Sequence, residues 1–232
     1  MPSWNIHTAH VERLFANESL DQLGIRDKNL FLFGNFVPDI YVGYVVQPIS
    51  HKIAYKETHF ADPRYVPTPD AARFYELYTT GAKTDDLVLG AWTHLLCDHY
   101  YNLRTNEYIA RIGVKPGDQT RIRKQADFDA FGRTFKISSI PRVDEQLIRA
   151  CAHFAQYPIA SEDVRAAARA QERIVQQNQA TDDAPPPTYS LLSPDYFEQT
   201  FAEVDGILRE GLRVHARGGD PTYLGRPANG NE

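Results

Sequence analysis

The chain has 232 residues, 42% of them hydrophobic, and its formal net charge at pH 7 is -5. A chain of this length buries enough apolar surface to fold without disulfide support, and its two cysteines show no paired spacing. The negative charge argues against general affinity for nucleic acids, so we expect no stable nucleic-acid complex. No signal-peptide pattern and no run of 18 apolar residues is found, which predicts a cytoplasmic protein without a membrane span.

Helical periodicity dominates the chain, whereas the alternation typical of strands is sparse, so the sequence predicts a mainly α fold. We expect one compact multi-helix domain over residues 1–216. Residues 217–232 are rich in Gly, Pro and Asn, which predicts a flexible C-terminal tail. The first helix is predicted over residues 6–14, with Ser3 or Asn5 as its cap.

Breaks in the helical pattern place polar residues beside apolar segments. An apolar helix is predicted to end before Pro38, which leaves Asp39 in irregular chain. A long ordered loop over residues 51–69 carries His59. The core helix, residues 84–102, is apolar nearly all round and is therefore predicted to be buried. Further helices are predicted at residues 71–78, 120–135, 143–154, 161–178 and 194–216.

The core helix carries the first sign of a metal site. His94 and Asp98 are four residues apart, so they share one face of the helix and lie one turn apart. A buried ionised carboxylate needs a partner, and a cation serves both this carboxylate and a neutral imidazole. A simple His-Asp pair in the core explains these two residues equally well. His7, Asp39 and His59 favour the metal, because three imidazoles with two carboxylates form a typical ligand set.

Four segments carry short motifs: MPSWNIH at the N-terminus, Pro38-Asp39, THFADP at residues 58–63, and GAWTHLLCD in the core helix. Their order and rough spacing, over about the first 130 residues, resemble the bacterial zinc-dependent phospholipase C family. The related single-strand-specific fungal zinc nucleases share these features. The resemblance implies a compact α-helical metallophosphoesterase.

The resemblance also implies a set of zinc ligands. One zinc ion is expected on four side chains: Asp39, His59, His94 and Asp98. A second zinc is expected on His7 and Asp98. At the three positions that correspond to a third zinc, the chain has Arg104, Gln125 and Asp129, of which only Asp129 retains a carboxylate.

The implied activity is hydrolysis of a phosphodiester by metal-activated water. Asp39 is expected to act as the general base as well as a ligand, and Arg104 and Arg121 are expected to bind the substrate phosphate. The expected substrate is a small phosphate ester or a lipid headgroup. A non-catalytic protein with one structural metal site is the main alternative. A phosphohydrolase with a contiguous His-Asp pair is a weaker one, because the order here is reversed, Asp98-His99.

Overall fold

The computed structural model describes residues 2–79, 84–180 and 186–226. Within these ranges the chain is helical and contains no strand, so the prediction of a mainly α, single-domain fold is confirmed. None of the helices in these ranges is long and apolar enough to cross a bilayer. The α-helices are α1 (Trp4–Asn17), α2 (Leu20–Leu23), α3 (Lys28–Gly34), α4 (Val37–Ile40), α5 (Tyr55–Thr58), α6 (Ala71–Tyr78), α7 (Asp86–Arg111), α8 (Asp118–Gly132), α9 (Glu145–Ala152), α10 (Ser161–Gln179) and α11 (Pro194–Ala216).

The predicted core helix is α7, which is buried along most of its length and contacts α3, α4, α6 and α11. It begins after Asp85, whose side chain accepts a hydrogen bond from the backbone N–H of Leu87 at 2.8 Å. This cap satisfies one of the backbone donors that a helix start leaves unpaired. The helix continues to Arg111, beyond the predicted end at Asn102.

Two glycines let α3 and α7 cross in backbone contact. A Cβ atom on Gly90 would lie 2.2 Å from the carbonyl oxygen of Phe31, and one on Gly34 would lie 2.3 Å from that of Leu87. No other residue type fits at such a distance, because the opposing atoms are backbone. The crossing brings the C-terminal end of α3, including Asn35, against the turn of α7 that carries His94.

The segments before α7 are more helical than predicted. Pro38 lies in the first turn of α4. A proline is tolerated there because a backbone N–H at this position would have no acceptor within the helix. The prediction that Asp39 lies in irregular chain is therefore wrong. The predicted loop over residues 51–69 contains the single turn α5, and His59 follows directly as its C-terminal cap.

The C-terminal segment is ordered further than predicted. After α11 a short 3-10 helix, Thr222–Leu224, packs near α6, and the carbonyl of Gly225 accepts a hydrogen bond from Ala72 N at 3.2 Å. Thr222 is buried. The predicted flexible tail thus includes described residues that pack near α6, and its remainder, residues 227–232, lies outside the described residues.

Candidate metal centre

Five predicted ligands meet at one place, although they come from four separate segments. His7 comes from α1, Asp39 from α4, His59 from the end of α5, and His94 and Asp98 from α7. Their exposed fractions lie between 0% and 6%. Two overlapping groups have ligand atoms within 4.8 Å of one another: Asp39, His59 and His94, and His7, His94 and Asp98. His94 belongs to both groups, so the two groups lie side by side.

The interatomic distances suit a single small cation. The Nε2 atoms of His59 and His94 are 3.2 Å apart. His59 Nε2 lies 3.7 Å from Asp39 Oδ1 and 3.6 Å from Asp98 Oδ2, and His94 Nε2 lies 3.9 Å from each carboxylate. Ligands about 2 Å from a tetrahedral zinc ion are separated from one another by ~3.3 Å. The measured separations between the imidazole nitrogens and the carboxylates, 3.6–3.9 Å, are within about 0.6 Å of this spacing.

The hydrogen bonds behind the two imidazoles determine their tautomers. His94 Nδ1 lies 2.8 Å from the carbonyl oxygen of Asn35, which can only accept, so Nδ1 carries the proton. His59 Nδ1 lies 2.7 Å from Thr58 Oγ1, whose own proton points at the carbonyl of Tyr55. The hydroxyl oxygen of Thr58 therefore accepts from His59 Nδ1. In the neutral form of each ring, Nε2 is therefore the nitrogen that carries the lone pair.

The two Nε2 atoms face each other in a buried space. Burial, together with repulsion from His94, holds the pKa of His59 well below its usual value, so the ring is neutral at pH 7. His59 Nε2 therefore carries a lone pair, and it lies 3.2 Å from His94 Nε2 and within 4 Å of two carboxylates. A buried neutral imidazole beside two carboxylates favours a positive charge at this place, which a metal ion bound to these groups would supply. The chemistry of the donor set thus fits a metal ion.

The two carboxylates are held by neutral donors. Trp4 Nε1 donates to Asp39 Oδ2 at 3.0 Å, and the Tyr55 hydroxyl donates to Asp98 Oδ2 at 3.2 Å. Burial raises the pKa of Asp39. Burial also acts to raise the pKa of Asp98, but attraction to the neighbouring imidazoles outweighs it and holds this pKa below its usual value. Hydrogen bonds of this kind orient metal-ligating groups.

His7 occupies the edge of the centre. Its ring stacks on His94 with centroids 4.0 Å apart and planes 9° apart, and its Nε2 lies 3.2 Å from Asp98 Oδ1. Burial and repulsion from His94 lower the pKa of His7 to about 4, so the ring is neutral at pH 7. Its Nδ1 atom has no hydrogen-bond partner among the described residues. This position suits either the predicted second metal, shared with Asp98, or a donor that orients Asp98.

The two arginines predicted to bind substrate phosphate lie elsewhere. The guanidinium of Arg104 donates to Glu203 Oε2 at 2.9 Å and to Glu107 Oε2 at 2.7 Å. Arg121 has 65% of its side chain exposed and lies 3.6 Å from Asp118. Because Arg104 is already neutralised by two carboxylates and neither arginine contacts the five converging side chains, the structure gives no support to this part of the prediction.

The predicted third site is not assembled among the described residues. Asp129 lies on α8 and accepts a hydrogen bond from Gln125 Nε2 at 3.2 Å, one turn away. It belongs to neither of the two ligand groups. The amide at position 125 therefore holds Asp129 within its own helix.

Two groups that complete the centre were not singled out from the sequence as partners of the ligands. One is the Tyr55 hydroxyl, and the other is the backbone carbonyl of Asn35. The position of a backbone carbonyl cannot be predicted from residue type. Tyr55 lies four residues before His59, and this spacing predicts a contact between the two side chains only if the segment is known to be helical.

No protein-family model, curated protein or solved structure matches the chain. The resemblance to zinc-dependent phospholipases C therefore rests on the quoted motifs.

Proposed function

We propose that the chain is a zinc-dependent, phospholipase C-like hydrolase of phosphoric esters. One observation supports the metal above all: the Nε2 atoms of two buried imidazoles lie 3.2 Å apart and within 4 Å of two carboxylates. A set of two imidazoles and two carboxylates at this spacing is well suited to zinc. The ligands would be Asp39, His59, His94 and Asp98.

Bound zinc supplies a Lewis acid that lowers the pKa of water to near neutrality. Asp39 is the most exposed of the five residues, at 6%, and burial raises its pKa. Both properties suit a group that accepts a proton from an attacking water molecule. Trp4 donates to Asp39 Oδ2 and so holds this carboxylate in place. The substrate would be a small phosphate ester or a lipid headgroup.

The burial of the centre favours a second candidate function, a single structural zinc. Structural zinc sites are closed by four protein ligands, whereas catalytic sites keep one position open. Four side chains converge here, and three of them are no more than 1% exposed. The arginines and Asp129, which would serve catalysis, lie outside the centre. In this case the ion would connect α4, α5 and α7 without a reaction.

Metal analysis combined with hydrolysis assays distinguishes the two functions. The purified chain, dialysed against zinc and then against buffer, should hold at least one equivalent and hydrolyse bis(p-nitrophenyl) phosphate or p-nitrophenyl phosphorylcholine. His94→Ala should lose the metal and the activity, whereas His153→Ala, an exposed histidine on the far end of α9, should lose neither. One equivalent of zinc without hydrolysis would support the structural function. A wild-type chain without affinity for zinc would refute both.

A further inference from the structure

Tyr55 contacts two of the proposed ligands at once. Its ring stacks on His59 with centroids 3.9 Å apart and planes 27° apart, and its hydroxyl donates to Asp98 Oδ2 at 3.2 Å. Unlike the ligands, Tyr55 is partly exposed. Its position at the centre is therefore not explained by the packing of a buried core alone.

Asn102 determines the direction of this hydroxyl group. Its Nδ2 atom donates to the carbonyl oxygen of Pro67 at 2.8 Å, so the amide nitrogen, and not the amide oxygen, faces this side. The same nitrogen lies 3.4 Å from the Tyr55 hydroxyl. An amide nitrogen can only donate, so the oxygen of Tyr55 accepts, and its proton is left to point at Asp98.

Asp98 depends on such contacts because the rotation of a carboxylate about its last bond is poorly constrained. Its two oxygens have different neighbours. Oδ1 lies 3.2 Å from His7 Nε2, and Oδ2 lies 3.6 Å from His59 Nε2 and 3.9 Å from His94 Nε2. A donor fixed on Oδ2 prevents the carboxylate plane from turning away from the Nε2 atoms of His59 and His94.

We propose that Tyr55, supported by Asn102, is a positioning residue that orients Asp98 and His59 toward the metal. This inference rests on the proposed metal centre. His94, Asp98 and Asn102 follow one another at intervals of one turn on one face of α7. This helix therefore carries two proposed ligands, His94 and Asp98, and also Asn102, which orients the hydroxyl group that donates to Asp98.

Cobalt substitution and zinc affinity test the inference. Tyr55→Phe keeps the ring on His59 and removes only the hydroxyl. This variant should bind zinc about 10- to 100-fold more weakly, because a loss of this size is typical when a hydrogen bond to a metal ligand is removed. The visible spectrum of bound Co²⁺ should change as well. The melting temperature of the metal-free protein should stay nearly unchanged. Tyr75→Phe is the matched control, because it removes a hydroxyl bonded to His215 Nδ1 at 2.7 Å. It should lower stability without changing affinity or spectrum.

The role of Asn102 is tested by a double-mutant cycle. Asn102→Ala should weaken zinc binding in the wild-type chain but cause no further loss of affinity in Tyr55→Phe. Independent, additive losses would overturn the role of Asn102. A Tyr55→Phe variant with wild-type affinity and cobalt spectrum would overturn the role of Tyr55 and leave the metal centre standing. A wild-type chain that binds neither Co²⁺ nor Zn²⁺ would overturn the centre itself.

Discussion

The backbone contact between α3 and α7 predicts that Gly90→Ala damages the metal centre from a distance. The new Cβ would lie 2.2 Å from the carbonyl oxygen of Phe31, more than an ångström inside an ordinary contact of 3.4 Å or longer. The opposing atom belongs to a helix backbone, so the two helices must separate by ~1 Å. The hydrogen bond from His94 Nδ1 to the carbonyl of Asn35, now 2.8 Å, would then be lost.

Two measurable effects follow from this separation. Overpacking costs about 1–3 kcal/mol, and the gain in helix propensity from Gly to Ala offsets at most about 1 kcal/mol. A net loss of ~1–2 kcal/mol lowers the melting temperature by roughly 2–8 °C in a chain of this size. Because the tautomer of His94 is no longer held, zinc affinity should also fall by about 10- to 100-fold.

Gly206→Ala is the matched control for this variant. Gly206 also lies inside a helix, α11, but a Cβ there meets nothing within 4 Å. It should be neutral or should raise stability by up to about 1 kcal/mol, with unchanged zinc affinity. Thermal melts and competition with a fluorescent zinc chelator measure both quantities. If Gly90→Ala matched the wild type in stability and in zinc affinity, the contact between α3 and α7 would not support the centre.

Three further predictions concern the ligands. Asp98→Asn should abolish hydrolysis with a modest fall in melting temperature if the metal is catalytic; if it is structural, the fall should equal that caused by a chelator in the wild type. His7→Ala should remove about one equivalent of metal on elemental analysis while unfolding stays cooperative, and unchanged stoichiometry would make His7 a donor to Asp98 instead. Without metal, the unfolded chain protonates His7 near its usual pKa of 6.5, but the folded chain does so only near its lowered pKa of about 4. Stability in denaturant titrations should therefore fall as the pH decreases from 6.5 to 4, by up to about 3 kcal/mol from this residue, and the slope should be shallower in His7→Ala.

The helices and part of the centre could be predicted because the relevant signals are local. The bounds of α11 match the predicted helix, since Ser193 and Pro194 mark its start and apolar spacing continues to its end. The shared face of His94 and Asp98 follows from helical geometry alone. Asp39 and His59 were different, because their residue types only suggested a metal site, and the resemblance to a family was needed to assign them to the same ion as His94 and Asp98.

Other parts of the prediction failed because partners distant in sequence decided the outcome. Arg104 was assigned to phosphate, but it is held by Glu203, 99 residues away in the chain. The helical turn around Pro38 was missed because proline is compatible with a first helical turn as well as with a helix end. The donor role of Tyr55 depends on α5, a single turn too short to give a periodic signal.

The order of the ligands along the chain has a consequence for how the protein is made. Every proposed ligand lies between His7 and Asp98, so the set is complete once α7 has been synthesised and before α8–α11 exist. An ion bound at that stage closes the loops between α4, α5 and α7, and so removes much of the chain entropy that opposes their assembly. The later helices would then pack onto an N-terminal half whose helices are already held together by the ion. In the complete fold α11 contacts α7 and α10 contacts α1.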